Sequence, residues 1–447
     1  MFEQTDLAFD VYRPLVRFAF SVWRLLRAVL AIFRLDHLFK LLRRTLLAPP
    51  ALRALRLPVT ETAANARVNI DTILETIVGP GGCPGMAAVA LHGDRIVAQG
   101  MTGFRKKGAS ERITLHDRFH LGSCGKAMTA TLAAILIEEG KLDWTTTLAE
   151  LFGNAVENMH PAWKHVTLRQ VLAHRAGLPR DTCRKLRARL VSSTLTLSQQ
   201  RLENVSLTLS RPPKNRPGAK LVYSNVGYML VGAALEKVTG IAWEELIRRR
   251  LFEPLGITTA GFGAPGTAGR IDQPWGHFPV IGKPVDPGSR SAEMGLFDAP
   301  AGLIHMTMVD WAKFIALHLR GDVANPHRQT LLLKPDTFAK LHPSGPDEGY
   351  ASGWIFEDKE WAKGAQLGAT GRTLFHSGSN FRWYCIVWMA PEIDFAVLTA
   401  CNRGMDPTSW KICENAADML IQAFASKPLS PPQNLRPQSH PIHSALP

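Results

Sequence analysis

Arg118-Phe-His-Leu-Gly-Ser-Cys-Gly-Lys126 is the stretch on which the reading of this chain turns. It leads into helical apolar periodicity over 124–139 that ends at Gly140, which sets Ser123 at a helix start and Lys126 one turn on, on the same face. A serine alone is a poor nucleophile. A lysine can serve as its base only where burial and the positive helix N-terminus depress its pKa toward neutrality. The same helix end offers the Ser123 backbone N–H as half of an oxyanion hole. Taken alone, Ser-x-x-Lys is equally an N-cap serine followed by a surface lysine, so its meaning depends on companions.

Working outward, Tyr223-Ser-Asn225 lies between a Pro- and Lys-containing loop over 205–220 and an apolar helix over 226–239 closed by Gly240. A phenol beside a cationic lysine can be acidified into a base or proton shuttle, and an asparagine amide can hold a substrate carbonyl. The plain alternative is a helix cap and a packed aromatic. Farther on, His376-Ser377-Gly378-Ser379 ends a predicted strand. Gly378 would let a substrate backbone approach that strand, and the Ser379 N–H could complete the oxyanion hole.

With these three in this order, the chain resembles the serine β-lactamase and penicillin-binding superfamily, in its class C β-lactamase, esterase and carboxypeptidase branch. The resemblance is carried by Ser123 with Lys126, Tyr223 with Asn225, and His376 with Gly378, and it spans about residues 67 to 425. Cys83-Pro-Gly-Met-Ala-Ala-Val-Ala, the run from Val166 to Pro179 and Ala301-Gly-Leu-Ile-His-Met-Thr also look like the family. It implies an α+β, β-lactamase/DD-peptidase-like fold: an antiparallel sheet flanked by helices, plus an inserted all-helical subdomain, with the cleft at their junction. By the same carry-over, Ser123 is the acylated nucleophile, Lys126 and Tyr223 share proton transfer, and Asn225 orients substrate and lysine. His376, Ser377, Gly378 and Ser379 form the substrate-binding strand. No metal or organic cofactor is implied, and the implied partner is a small-molecule or short-peptide substrate.

Two residues depart from the pattern. His376 stands where β-lactamases usually carry lysine, and an imidazole is not a fixed cation at pH 7. Esters or D-peptides are therefore expected ahead of β-lactams. Cys124-Gly125 fills the spacer, where a threonine or serine is expected just before the lysine, and Gly125 loosens the first turn by about 1 kcal/mol relative to alanine. A non-catalytic binding or scaffold protein that keeps the fold stays open as the alternative.

Composition limits the other readings. At 447 residues, with 46% hydrophobic and 20% charged residues, the chain is mainly folded and can bury a large core. Its longest uncharged stretch, Thr76 to Gly93, is interrupted by two prolines and five glycines, so no transmembrane span is expected. The six cysteines lie far apart without a Cys-x-x-Cys pair and read mostly as buried free thiols. Of the net +14, nine charges fall within residues 11–56, where ten Lys or Arg face a single acid, Asp36. Arg13, Arg17, Arg24, Arg27 and Arg34 share an arc of about 100° opposite Leu25, Val29 and Ile32. That basic amphipathic pattern, over residues 11–44, fits an anionic membrane surface, a helix docked on its own domain, or a second subunit. Arginines every few residues speak against a secretory signal, and Glu3, Asp6 and Asp10 against a mitochondrial transit peptide. The expected organisation is a helical segment over 1–48, a linker over 49–66, the hydrolase domain over 67–426 and a disordered, proline-rich tail over 427–447.

Rival motifs are weaker. An α/β-hydrolase needs Gly-x-Ser-x-Gly, and Leu121-Gly-Ser-Cys-Gly lacks the first glycine. Gly261-Phe-Gly-Ala-Pro-Gly266 contains a proline and is not set between a strand and a helix, so it reads as a loop. His116 and His120, four apart, would share a helix face but have no third ligand, and they read as structural. The basic run from Arg175 to Arg189 lacks interleaved aromatics, so no nucleic-acid partner is expected; it reads as a solvated helix face, which the family resemblance implies borders the cleft.

Overall fold

The computed structural model describes residues 68–425 apart from 294, 330, 331 and 346. The expected N-terminal amphipathic segment, the linker and the proline-rich tail lie outside the described residues.

Thirteen strands follow in chain order: β1 (Val68–Asn69), β2 (Gly85–His92), β3 (Arg95–Gly103), β4 (Arg118–His120), β5 (Gly261–Phe262), β6 (Gly276–His277), β7 (Pro284–Val285), β8 (Ile304–Thr307), β9 (Tyr350–Ala351), β10 (Trp354–Asp358), β11 (Arg372–Ser379), β12 (Tyr384–Ala390) and β13 (Phe395–Cys401). Eight of them form one sheet in the order β1-β3-β2-β13-β12-β11-β10-β9. The expectation of an antiparallel sheet needs one amendment, because β1 pairs with β3 in parallel while every other pair in this sheet is antiparallel. Only two residues long, β1 reaches the edge before the chain turns into the helix Asp71–Val78.

The central strands β2, β12 and β13 are buried along their whole length. Their near-continuous apolar sequences follow, since a strand covered on both faces gains nothing from alternation. Ala87, Val89 and Leu91 of β2 and Ala396, Leu398 and Ala400 of β13 join the core shared with the helical region. Their neighbours turn to the other face, where Thr399 donates to the Cys413 carbonyl of the helix Pro407–Phe424. That helix also packs on Asp71–Val78.

Between residues 125 and 252 every regular element is helical. At its centre runs Gly125–Glu138, buried from Gly125 to Leu136. A helix apolar all round belongs inside, and so Lys126 is carried into the interior. The helix Asn225–Thr239 packs beside it, started by Ser224 and closed by Gly240. The loop expected over 205–220 begins later than the sequence reading placed it. Leu197–Leu209 is helical, opened by a capping box in which Thr196 and Gln199 exchange hydrogen bonds.

Candidate active site

The site forms where the N-terminus of Gly125–Glu138 meets the end of β11. Ser123 lies in a 3-10 turn, Gly122–Cys124, that runs straight into the helix. The turn can sit against the strand only because two residues lack side chains. A Cβ on Gly122, whose φ is +49°, would fall 2.1 Å from the Ser379 nitrogen, and one on Gly378 would fall 1.9 Å from the Leu121 carbonyl oxygen. Gly378 therefore also gives room to the protein's own Gly122–Cys124 turn, which packs against the Cα where a side chain would be.

Lys126 is fully buried. Its Nζ donates to Ser123 Oγ at 3.1 Å, to Asn225 Oδ1 at 2.7 Å and to the carbonyl oxygen of Ala301. All three acceptors are neutral. Burial lowers its pKa from 10.5 to about 7, although the charges of Asp181 and Cys124 pull the other way. The ammonium also lies 4.9 Å from the centre of the Tyr223 ring.

The Tyr223 hydroxyl faces the Ser123 side chain, which acts to lower its pKa. The expected acidification of this phenol is not found. Burial is the largest influence and raises its pKa well above 10, outweighing the hydrogen bond to Ser123. The two groups are thus separated by environment: a lysine that can lose its proton near neutrality beside a tyrosine that keeps its own. Ser224, between the two motif residues, is the helix cap. Its Oγ accepts from Gly227 N–H at 2.9 Å and donates to the Pro179 carbonyl at 2.6 Å.

Asn225 presents Oδ1 to the lysine because its amide nitrogen donates to Asp181 Oδ1 at 2.6 Å. Asp181 was not singled out in the sequence. Neither was His174, a buried residue with φ of +57°, whose ring packs 4.3 Å from Tyr223 and whose Nδ1 accepts the Ser224 N–H at 3.2 Å. Burial holds the His174 pKa well below its ordinary value, so the ring is neutral beside Lys126.

On β11, His376 points inward, with Nε2 3.5 Å from the Tyr350 hydroxyl and Nδ1 2.7 Å from the Ser377 carbonyl oxygen. Ser377, one residue on, faces the opposite side. The Ser379 hydroxyl donates to the Trp383 carbonyl at 2.6 Å and accepts the Phe381 N–H, so it serves the β11–β12 turn. Cys124, in the unexpected spacer, packs behind the strand, with its thiol 3.7 Å from the His376 carbonyl oxygen and 3.7 Å from Cys385 Sγ. Five of the six cysteines are buried free thiols, Cys183 being the exposed one.

Two other expectations resolve here. His116 and His120 are not on a helix, since His120 belongs to β4. In the basic run, Arg187 pairs with Asp298 and Arg189 with Glu203, so much of that charge is compensated.

The Beta-lactamase family model matches residues 70–416, a span that includes every residue of this site. The chain belongs to the Beta-lactamase family. That places it in the serine hydrolase superfamily of β-lactamases and penicillin-binding proteins. Among curated relatives, Protein flp of Staphylococcus aureus (strain COL) is 21% identical over 350 residues, covering 76% of this chain and 64% of the relative. The chain thus spans less than two thirds of that relative's length. Among solved structures, the octameric penicillin-binding protein homologue from Pyrococcus abyssi aligns with a TM-score of 0.61 at 22% identity, over 77% of this chain and 75% of the other. A D-stereospecific amidohydrolase from Streptomyces sp. aligns at 0.57 and 20% identity, over 77% and 96%. At these identities the structural likeness is one of fold.

Proposed function

We propose that this Beta-lactamase family member is a serine hydrolase that forms an acyl-enzyme on Ser123 from a carboxylic ester or a D-peptide type amide. The observation that carries the reading is the buried Lys126, 3.1 Å from Ser123 Oγ and depressed to about pH 7. As the free amine it takes the Ser123 proton while Oγ attacks the acyl carbon. Tyr223, still protonated, donates toward the leaving alcohol or amine and recovers a proton from the Lys126 ammonium, which carries the one taken from Ser123. Water then adds to the acyl carbon by the same route in reverse and releases the acid. Asn225 holds the lysine and reaches a substrate carbonyl, and the N–H groups of Ser123 and Ser379 receive the developing oxyanion.

His376 in place of a lysine removes the fixed cation expected to pair with a β-lactam carboxylate, which favours esters and D-peptides. The similarity in fold to a D-stereospecific amidohydrolase supports the same direction. Residues 11–44 remain proposed as a contact with an anionic membrane surface, checked by liposome binding of the full chain against a chain lacking residues 1–60.

The deciding experiment is steady-state hydrolysis of a short-chain nitrophenyl ester by the full chain and by Ser123→Ala. Turnover is expected to vanish in the variant, with a transient mass increase equal to the acyl group on the unaltered protein alone, whereas an adduct that never hydrolyses would favour a binding protein. Equal rates in the two proteins sink the reading.

A further inference from the structure

Behind the nucleophile turn lies a second polar network. His120, fully buried on β4, uses Nδ1 to accept the Gly122 N–H at 3.1 Å. An accepting Nδ1 places the ring hydrogen on Nε2, which donates to Glu293 Oε2 at 3.0 Å. The same carboxylate oxygen accepts from Asn380 Nδ2 at 3.3 Å. Asn380 directly follows Ser379, and its Oδ1 accepts the N–H groups of Arg382 at 3.1 Å and Trp383 at 3.3 Å, closing the turn after β11. The Trp383 indole stacks on the His120 ring at 5.7 Å with 19° between planes.

The two ends of this network are the two sources of oxyanion donors. Holding the Gly122 N–H fixes the peptide plane before Gly122. That plane leads through Gly122, whose φ is +49°, directly into the one that carries the Ser123 N–H. Holding Asn380 fixes the peptide that follows the Ser379 N–H. We infer that Glu293 is a positioning residue that ties both halves of the oxyanion hole together, through His120 to Ser123 and through Asn380 to Ser379. Its task is geometric. Both donors meet one oxygen, so a neutral amide oxygen in that place serves as well.

This inference rests on the Ser123 acyl-enzyme reading, and its test separates the two. With the nitrophenyl ester, Glu293→Ala is expected to lower kcat about tenfold to a hundredfold, less than the roughly 10²–10³-fold cost of deleting an oxyanion donor outright. KM changes by less than about threefold, because the hole acts on the tetrahedral state. Glu293→Gln returns kcat to within about threefold. His120→Asn falls between, since its amide oxygen still accepts the amide two residues on, as Asn69 does for Asp71 at 2.8 Å. Affinity for a boronic acid, whose tetrahedral adduct on Ser123 fills the same hole, drops in Glu293→Ala by the same factor as kcat. The staple is overturned if folded Glu293→Ala keeps full kcat, if Glu293→Gln loses as much as Glu293→Ala, or if boronate affinity stays constant while kcat falls. Turnover surviving in Ser123→Ala overturns the parent reading instead. Should Glu293→Ala fail to fold, the Gln and Asn variants still decide the matter.

Discussion

Lys126 and Arg201 are both fully buried cations in the helical half of the molecule, and they are partnered in opposite ways. Lys126 meets a hydroxyl, an amide oxygen and a backbone carbonyl. Arg201 is clamped by two carboxylates, with Nε 3.1 Å from Glu236 Oε2 and Nη1 2.9 Å from Glu244 Oε1. Burial pulls down the pKa of each. At Arg201 the glutamates outweigh burial and the net direction is upward. At Lys126 the neutral acceptors cannot compensate, and the ammonium gives up its proton near pH 7. A buried cation between carboxylates is structure, whereas one among neutral oxygens is a base in waiting.

The contrast predicts opposite mutant phenotypes. Lys126→Met is expected to lower kcat/KM by at least about 10³-fold, within the range of general-base loss, while the melting temperature moves little. Arg201→Met is expected to do the reverse. It leaves Glu236 and Glu244 without their partner and costs about 3–5 kcal/mol in urea unfolding, with kcat per folded molecule within twofold of the parent. Large stability losses in both, or large rate losses in both, would erase the distinction.

Acidity sharpens the same contrast. On the proposed mechanism, in which the amine form of Lys126 takes the Ser123 proton, kcat/KM should rise about tenfold per pH unit below about 7 and level off above it. Tyr223, whose pKa lies well above 10, gives no alkaline limb below that. The same group affects stability with a definite sign. Its folded pKa lies below the unfolded 10.5, so between about pH 7 and 10.5 the unfolded chain binds the extra proton and this contribution to stability grows with pH. Lys126→Met should flatten that slope. Asp181→Asn removes a charge that supports the ammonium, so the acid limb should move to lower pH.

How much of this was readable in advance depended on sequence distance. Ser123 and Lys126 lie a helical turn apart, so short-range geometry brings them together, and Tyr223 and Asn225, two apart in sequence, both reach the same lysine. β12 and β13 carry uninterrupted apolar runs, the pattern of strands covered on both faces. The roles of Asp181, His174, His120 and Glu293 were not readable, because each meets the site through a loop or strand whose approach is set by tertiary packing. The acidity of Tyr223 was misjudged for a related reason: a nearby cation is visible in a motif, but depth is not. The helix reaching Leu209 was missed although its signal, Thr196 with Gln199 before an apolar run, was present. Gly378 was correctly seen as a point of close approach, yet the sequence could not say which backbone would approach.

The smallest effect tests whether the clamp on Arg201 is graded. Glu244 is the more exposed partner, at 16% of its side chain against 9% for Glu236. Glu236 also accepts the Trp243 N–H at 2.9 Å and the Ser198 hydroxyl at 2.7 Å, so it is the better anchored of the two. Glu244→Gln keeps an oxygen near Arg201 but removes one charge, and Glu236 still balances the guanidinium. Urea unfolding should show a loss of about 1–2 kcal/mol, well below that of Arg201→Met, because no buried ion is left alone. Ester turnover should be unchanged, since neither glutamate contacts the lysine. A loss as large as that of Arg201→Met would mean that Glu236 alone does not satisfy the buried guanidinium and that the clamp acts as one unit rather than as two graded halves.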